Sequence, residues 1–304
     1  MRWQIKCLID NCKGMVPFQD KFRKFKRRLV PYRPSLSRGA YAIDEGIVQV
    51  QWLRDALGTL VGKTILEIGS GWELLLPMLF SLCRAERVYL TDLTALLDRF
   101  TLVGGLESFR ANRQRILDAL HIPPEDFDRK FGGGIESQEE FLKSNGLVYL
   151  APCDCRHLYL EDSTLDVITS RSVFEHIPAP VIEDILKESY RLLKPGGLIC
   201  HFVDNSDHWE HGDKSISTVN FLRFSDRAFR LTYLNSLNYH NRLRHSEYVE
   251  MLRRHGFEIL RAERIVDSGA VEALKTLPLA PRFRGFPVED LAARDSYLLA
   301  RKPG

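Results

Sequence analysis

A chain of 304 residues with 44% hydrophobic and 27% charged residues has an ordinary globular composition and can bury a core without disulfides or structural metals. Its formal net charge of +3 is too small to argue for a nucleic-acid partner. Six cysteines (Cys7, Cys12, Cys83, Cys153, Cys155 and Cys200) form no C-x-x-C pair and no zinc-ribbon spacing, which points to reduced thiols in a cytoplasmic protein.

At the N-terminus, Lys6, Asp10, Asn11 and Lys13 interrupt the apolar residues, so no leader peptide is expected. The longest apolar run, Leu74 to Phe80, is too short to cross a bilayer. From Lys21 to Arg38 eight basic residues occur with no acid among them, and Phe18, Phe22, Phe25, Leu29 and Val30 recur at helical spacing until Pro31 and Pro34. Such a helix either packs on the core with a solvated basic face or, through residues 18–30, touches an anionic membrane surface or an anionic substrate. Residues 1–44 are read as this N-terminal segment and 45–304 as the catalytic domain.

From Lys63 short apolar runs alternate with helical segments, the rhythm of a parallel α/β sheet. Strands are expected at Thr64–Ile68, Arg87–Leu90, Leu147–Leu150, Leu165–Thr169 and Leu198–Val203, with two closing strands at Phe257–Ile265 and Ser296–Arg301. Helices are expected at Glu73–Leu82 and Val181–Leu193, the latter stopped by Lys194-Pro195-Gly196-Gly197. Two long insertions, about 94–146 and 205–243, leave from the carboxyl ends of strands. That is the ligand side of such sheets, so they are read as a substrate cap.

Glu67-Ile68-Gly69-Ser70-Gly71 ends the first strand in a glycine turn that lets backbone approach a ligand. A dinucleotide loop wants a third glycine where Leu74 stands, and Glu67 is an acid within an apolar strand that suits a cationic ligand. Asp92 ends the second strand about twenty residues on, where nucleotide sites place a carboxylate for ribose, and Asp154 follows the third.

These segments, with Leu165-Asp166-Val167-Ile168-Thr169-Ser170 and Leu192-Leu193-Lys194-Pro195-Gly196-Gly197, resemble the successive motifs of class I S-adenosylmethionine-dependent methyltransferases, nearest the type 11 branch. The resemblance implies a Rossmann-like seven-stranded sheet whose last strand is antiparallel, with helical cap insertions, and S-adenosylmethionine over the ends of strands one to four. By the same resemblance Glu67, Gly69, Ser70 and Gly71 cradle the methionine part, and Asp92 binds ribose with Leu93 beside adenine. Asp154 accepts from the adenine amino group beside Cys155, and Ser170, Arg171 and Ser172 form the floor. Trp72 stands where many members carry another glycine, so its role is open.

Methyl transfer to an oxygen or nitrogen often needs a base, and histidine titrates in the right range. His176, His201 and His208 are the candidates, the last two in a stretch rich in histidine and aspartate, His201 to Asp213. Its spacing matches no zinc motif, so no metal is expected. Arg242 and Arg244 are read either as a clamp for an acidic acceptor or as partners for acids of the cap. The expected function is methyl transfer to an oxygen of a small-molecule or glycan-like acceptor. The alternatives are a lipid or quinone methyltransferase at a membrane surface, a nicotinamide-dependent oxidoreductase, or a non-catalytic cofactor-binding protein. Nucleic acid is not expected as acceptor, since no base-methylating motif follows strand four.

Overall fold

The computed structural model describes residues 2–14, 35–232 and 239–304. The basic segment expected to form a helix at 18–30 lies outside the described residues. Seven strands form one sheet: β1 (Thr64–Ile68), β2 (Arg87–Thr91), β3 (Leu147–Tyr149), β4 (Leu165–Arg171), β5 (Leu193–Asp204), β6 (Glu258–Val266) and β7 (Ala293–Arg301). Their order is β3-β2-β1-β4-β5-β7-β6, with β7 antiparallel to both its neighbours and the other pairs parallel. Strand order reverses its progression across the sheet between the parallel neighbours β1 and β4, which opens a crevice at their carboxyl ends. The α/β class and the antiparallel last strand are as the sequence implied.

Helices cover the faces. α1 (Trp3–Gly14) and α2 (Leu36–Leu57) precede the sheet, and α3 (Leu75–Leu82) follows β1. Every residue of α3 is buried, as its unbroken apolar run requires. It starts later than the sequence led one to expect, because Leu74 takes a left-handed backbone (φ 53°) and the turn runs on through Trp72 and Glu73. α2 runs without a break through residue 44, ends at Gly58 with φ 78°, and lays Ile43, Ile47, Val50 and Leu53 into the core.

The first insertion holds four helices: α4 (Arg99–Ala111), α5 (Arg113–Leu120), α6 (Pro124–Phe131) and α7 (Gln138–Ser144). Asp98 and Thr101 cap α4 reciprocally. These helices pack beside α2 and α3, with Phe109, Phe127 and Phe131 joining the main core. α8 (Ala179–Leu192) buries Ile182, Ile185, Leu186, Ser189 and Leu192, the i, i+3, i+4, i+7 stripe its sequence spells. After it, Lys194–Gly197 does stop the helix, but the chain has already joined the sheet. β5 starts at Leu193, bulges against β4, and uses Gly196 (φ 79°) to make the turn.

The second insertion has a core of its own around Trp209, Phe221, Leu222 and Phe283, onto which Cys7 of α1 packs. Trp3 N of α1 donates to Asp213 Oδ2 at 2.7 Å. Arg242 and Arg244 settle between their two readings here. Arg242 Nη2 pairs with Asp226 Oδ1 at 2.6 Å, and Arg244 Nη2 donates to the Asn205 carbonyl at 2.9 Å. Both are buried, so they brace the insertion from within. Among the described residues no helix is long and apolar enough to cross a membrane, and Cys83, Cys153, Cys155 and Cys200 are free thiols.

Candidate functional site

The crevice holds two cavities of about 490 and 560 Å³ that share Gly69, Trp72 and Ser172 in their walls, so together they form one groove across the ends of β1, β2 and β4. Each is of the size that takes a small-molecule cofactor.

The first cavity is walled by the glycine loop, Glu67, Glu73, Arg171 and four residues before or within α2: Ser35, Arg38, Tyr41 and Ala42. Gly69 (φ 70°) and Gly71 (φ 64°) take the left-handed backbone that glycine permits. The loop is stitched to β2, since Gly69 N and Ser70 N both donate to the Thr91 carbonyl at 2.9 and 3.0 Å. Asp92 Oδ2 accepts from Gly71 N at 3.3 Å. A Cβ at Gly69 would lie 2.6 Å from Val173 Cγ2. Gly69→Ala is therefore expected to cost about 2–4 kcal/mol, from left-handed strain plus overpacking. A denaturant midpoint equal to that of the parent chain would reject this.

Glu67 is buried at 5% exposure, and its Oε2 has no hydrogen-bond partner. Burial pushes its carboxyl up to about 7, against smaller lowering effects from Ser70 and Arg171. A buried acid facing a cavity with an unsatisfied oxygen fits an ammonium group. Arg171 brings a guanidinium to the same cavity, held there by Glu45 Oε2 of α2 at 3.1 Å.

The second cavity is walled by Asp92, Leu93, Leu96, Cys153, Asp154, Cys155, Arg156, His176 and the apolar side chains Val173, Ile177, Val181 and Ile185. Asp154 is fixed by a two-point pair with Arg156 (2.6 Å at the shorter contact), which holds its carboxyl below the usual range. Cys155 Sγ lies 3.0 Å from Thr91 Oγ1. Leu93 stands at the rim, largely exposed. The groove therefore offers an acid at one end, an aspartate in the middle and an apolar slot with a second aspartate at the other.

Ser170 is placed differently from its neighbours. It is wholly buried, and its Oγ lies 2.8 Å from His201 Nδ1, beneath the floor that Arg171 and Ser172 form. His201 is equally buried, in register with Ser170 across β4 and β5, and stacks on Phe174 at 4.2 Å. Burial pushes its imidazole down to about 3 and keeps it neutral, and it lines neither cavity. His176 and His208 do come together, with ring centroids 4.9 Å apart. His208 Nε2 lies 3.5 Å from Asp204 Oδ2, and Glu175 sits beneath His176 with Oε1 3.9 Å from His176 Nε2. Burial lowers the His176 imidazole, so it is neutral at neutral pH.

The sequence reading missed Ser35, Arg38 and Tyr41, since nothing in a lone helix start says that it folds over a turn thirty residues later.

Residues 133–201 match the family model described as "Methyltransferase domain". No curated protein matches the chain in sequence. Among solved structures the chain is similar to a Burkholderia thailandensis 1,6-didemethyltoxoflavin-N1-methyltransferase (14% identity, 88% of this chain, 83% of that one, TM-score 0.45). It is also similar to a Mesorhizobium loti S-adenosylmethionine-dependent methyltransferase (15%, 83% and 96%, 0.44) and to a Streptomyces coelicolor geranyl diphosphate C-methyltransferase (14%, 84% and 78%, 0.44). Likenesses at that distance say nothing of the acceptor. The matched stretch runs from just after α6 into β5, and the seven-stranded sheet with its antiparallel last strand is the fold that the sequence resemblance implied.

Proposed function

We propose that the chain transfers a methyl group from S-adenosylmethionine to a hydroxyl oxygen of a small-molecule or glycan-like acceptor. The observation that carries the oxygen reading is the cluster of Glu175, His176, Asp204 and His208 at the ends of β4 and β5, beside the cofactor groove. A hydroxyl must lose its proton as it is methylated, and this cluster is the polar place at the groove's edge to receive it.

When bound, the cofactor would supply an electrophilic methyl group whose C–S bond breaks to leave a neutral thioether as the acceptor oxygen bonds to the carbon. Glu67 would take the ammonium, and Arg171 with Arg38 would face the carboxylate of the same amino-acid end. Asp92 would bridge the ribose hydroxyls. Leu93 and the apolar wall of Val173, Ile177 and Ile185 would hold the adenine, with Asp154 at its amino group. Ser70 and Gly71 keep the loop close to the methionine part, and Cys155 fills the wall below adenine. The cluster orients the acceptor hydroxyl.

Asp92→Ala is expected to weaken cofactor binding by about 1–3 kcal/mol, roughly 5- to 150-fold, through loss of a charged hydrogen-bond acceptor. Calorimetric titration reads this directly, and an unchanged affinity would remove Asp92 from the ribose site. The acceptor reading is tested by turnover with methyl-labelled cofactor. Water-soluble hydroxylated metabolites and sugars are set against quinols and lipids in vesicles. Label on a soluble hydroxyl supports the proposal; label confined to the vesicle fraction, or on nitrogen or carbon alone, overturns it.

A further inference from the structure

Glu175 is 3% exposed and neither of its carboxylate oxygens has a hydrogen-bond partner. Such a group is costly inside a protein unless a cation or a proton meets it. Next in the chain, His176 has its Nδ1 2.8 Å from the Tyr239 carbonyl oxygen. A carbonyl only accepts, so Nδ1 carries the proton and Nε2 keeps its lone pair, 3.9 Å from Glu175 Oε1. That backbone-fixed tautomer is the usual state of a metal-binding histidine. His208, from a separate segment after β5, completes the group: one ligand-type atom from each of Glu175, His176 and His208 lies within 4.8 Å of the others. Ligands at about 2.0–2.2 Å from one ion stand no more than roughly 4.4 Å apart, so small side-chain movements close the set. Asp204 Oδ2, 3.5 Å from His208 Nε2 and 3.9 Å from His211 Nε2, puts a second carboxylate beside it.

We propose that Glu175, His176 and His208 bind a divalent transition-metal ion of the zinc class. Two neutral imidazoles and one carboxylate form a set that such ions accept, and three protein ligands leave a coordination position open. The ligands come from two stretches about thirty residues apart, which is why their spacing fits no metal motif in the sequence. The proposal departs from the expectation of no metal. It stands independently of the acceptor assignment. Only the facing of the open position toward the acceptor oxygen rests on that assignment; with an ion bound, His176 and His208 are its ligands and proton reception falls to Asp204 beside them.

The test uses the untagged full chain, stripped with a chelator and titrated with zinc chloride by calorimetry, with cobalt(II) as a visible-spectrum probe. One equivalent of zinc per chain is expected, with cobalt bands of nitrogen coordination. Glu175→Gln and His208→Asn should each weaken zinc binding about 100-fold, at or above what loss of an outer-shell partner does. His121→Asn, at an exposed histidine elsewhere, should leave it unchanged. Titration of the same metal-free variants with S-adenosylmethionine reports whether they are folded and tests the cofactor reading separately. No saturable zinc binding, or parent-like binding in both cluster variants, overturns the site. If a variant also loses cofactor binding, the cobalt spectrum of the parent chain decides: nitrogen-ligand bands support the site and their absence overturns it.

Discussion

At pH 8, Glu67→Gln is expected to bind S-adenosylmethionine at least about 100-fold more weakly than the parent chain, corresponding to about 3 kcal/mol or more for breaking a buried charge pair. The same change should erase a pH dependence. In the free protein burial holds the Glu67 carboxyl at about 7, so below that pH the acid is protonated and must release its proton before it can pair with an ammonium. The parent's association constant should therefore rise about tenfold per pH unit up to pH 7, at 1.36 kcal/mol per unit, and level off above it. The sign for stability is the opposite. The folded value lies above the ordinary 4.5, so the cofactor-free fold binds the extra proton. Its contribution is fully present below 4.5 and is lost as pH rises through 7. Glu67→Gln should flatten that decline in unfolding midpoint. A parent chain whose cofactor affinity does not change between pH 5.5 and 8 would remove Glu67 from the ammonium site.

Glu67 also shows what the sequence could reveal. An acid inside Thr64-Ile65-Leu66-Glu67-Ile68, followed by glycines, is a local contradiction of the strand's apolar pattern, and such contradictions mark sites. The placing of Asp92 and Asp154 beside the groove was legible for a related reason: strand ends are set by short local patterns, and parallel pairing lines those ends up. The rest depends on tertiary proximity. Arg38 and Tyr41 reach the first cavity because α2 crosses the sheet, which no periodicity states. His201 and Ser170 are polar residues near the right strand ends, yet the register that sets them opposite each other leaves both beneath the floor. The pairing of His176 with His208 required two loops to meet. Arg242 and Arg244 had two readings of equal chemical merit, separated only by seeing that they are buried against Asp226 and backbone carbonyls.

Phe109→Ala should be among the most destabilising single substitutions in the first insertion, at about 3–5 kcal/mol. Phe109 is fully buried on α4, stacked on Phe127 of α6 at 5.4 Å and edge-on to Phe131 at 5.0 Å. Removing the ring leaves a cavity between α4 and α6 that the two helices, held by separate connections, cannot close together. One turn earlier on α4, Gly105 packs against the glycine-loop backbone so closely that an added Cβ would lie 2.1 Å from the Glu73 carbonyl oxygen. Glu73 itself walls the first cavity. The aromatic cluster therefore sets the position of a helix that in turn holds one side of the glycine turn. Two effects are expected of one variant: a lower denaturant midpoint for Phe109→Ala, and a several-fold weaker cofactor affinity under conditions where the variant remains folded. Phe109→Leu should recover most of both, since it refills much of the volume. A Phe109→Ala chain that loses stability but binds cofactor like the parent would show that α4 and the loop are mechanically separate.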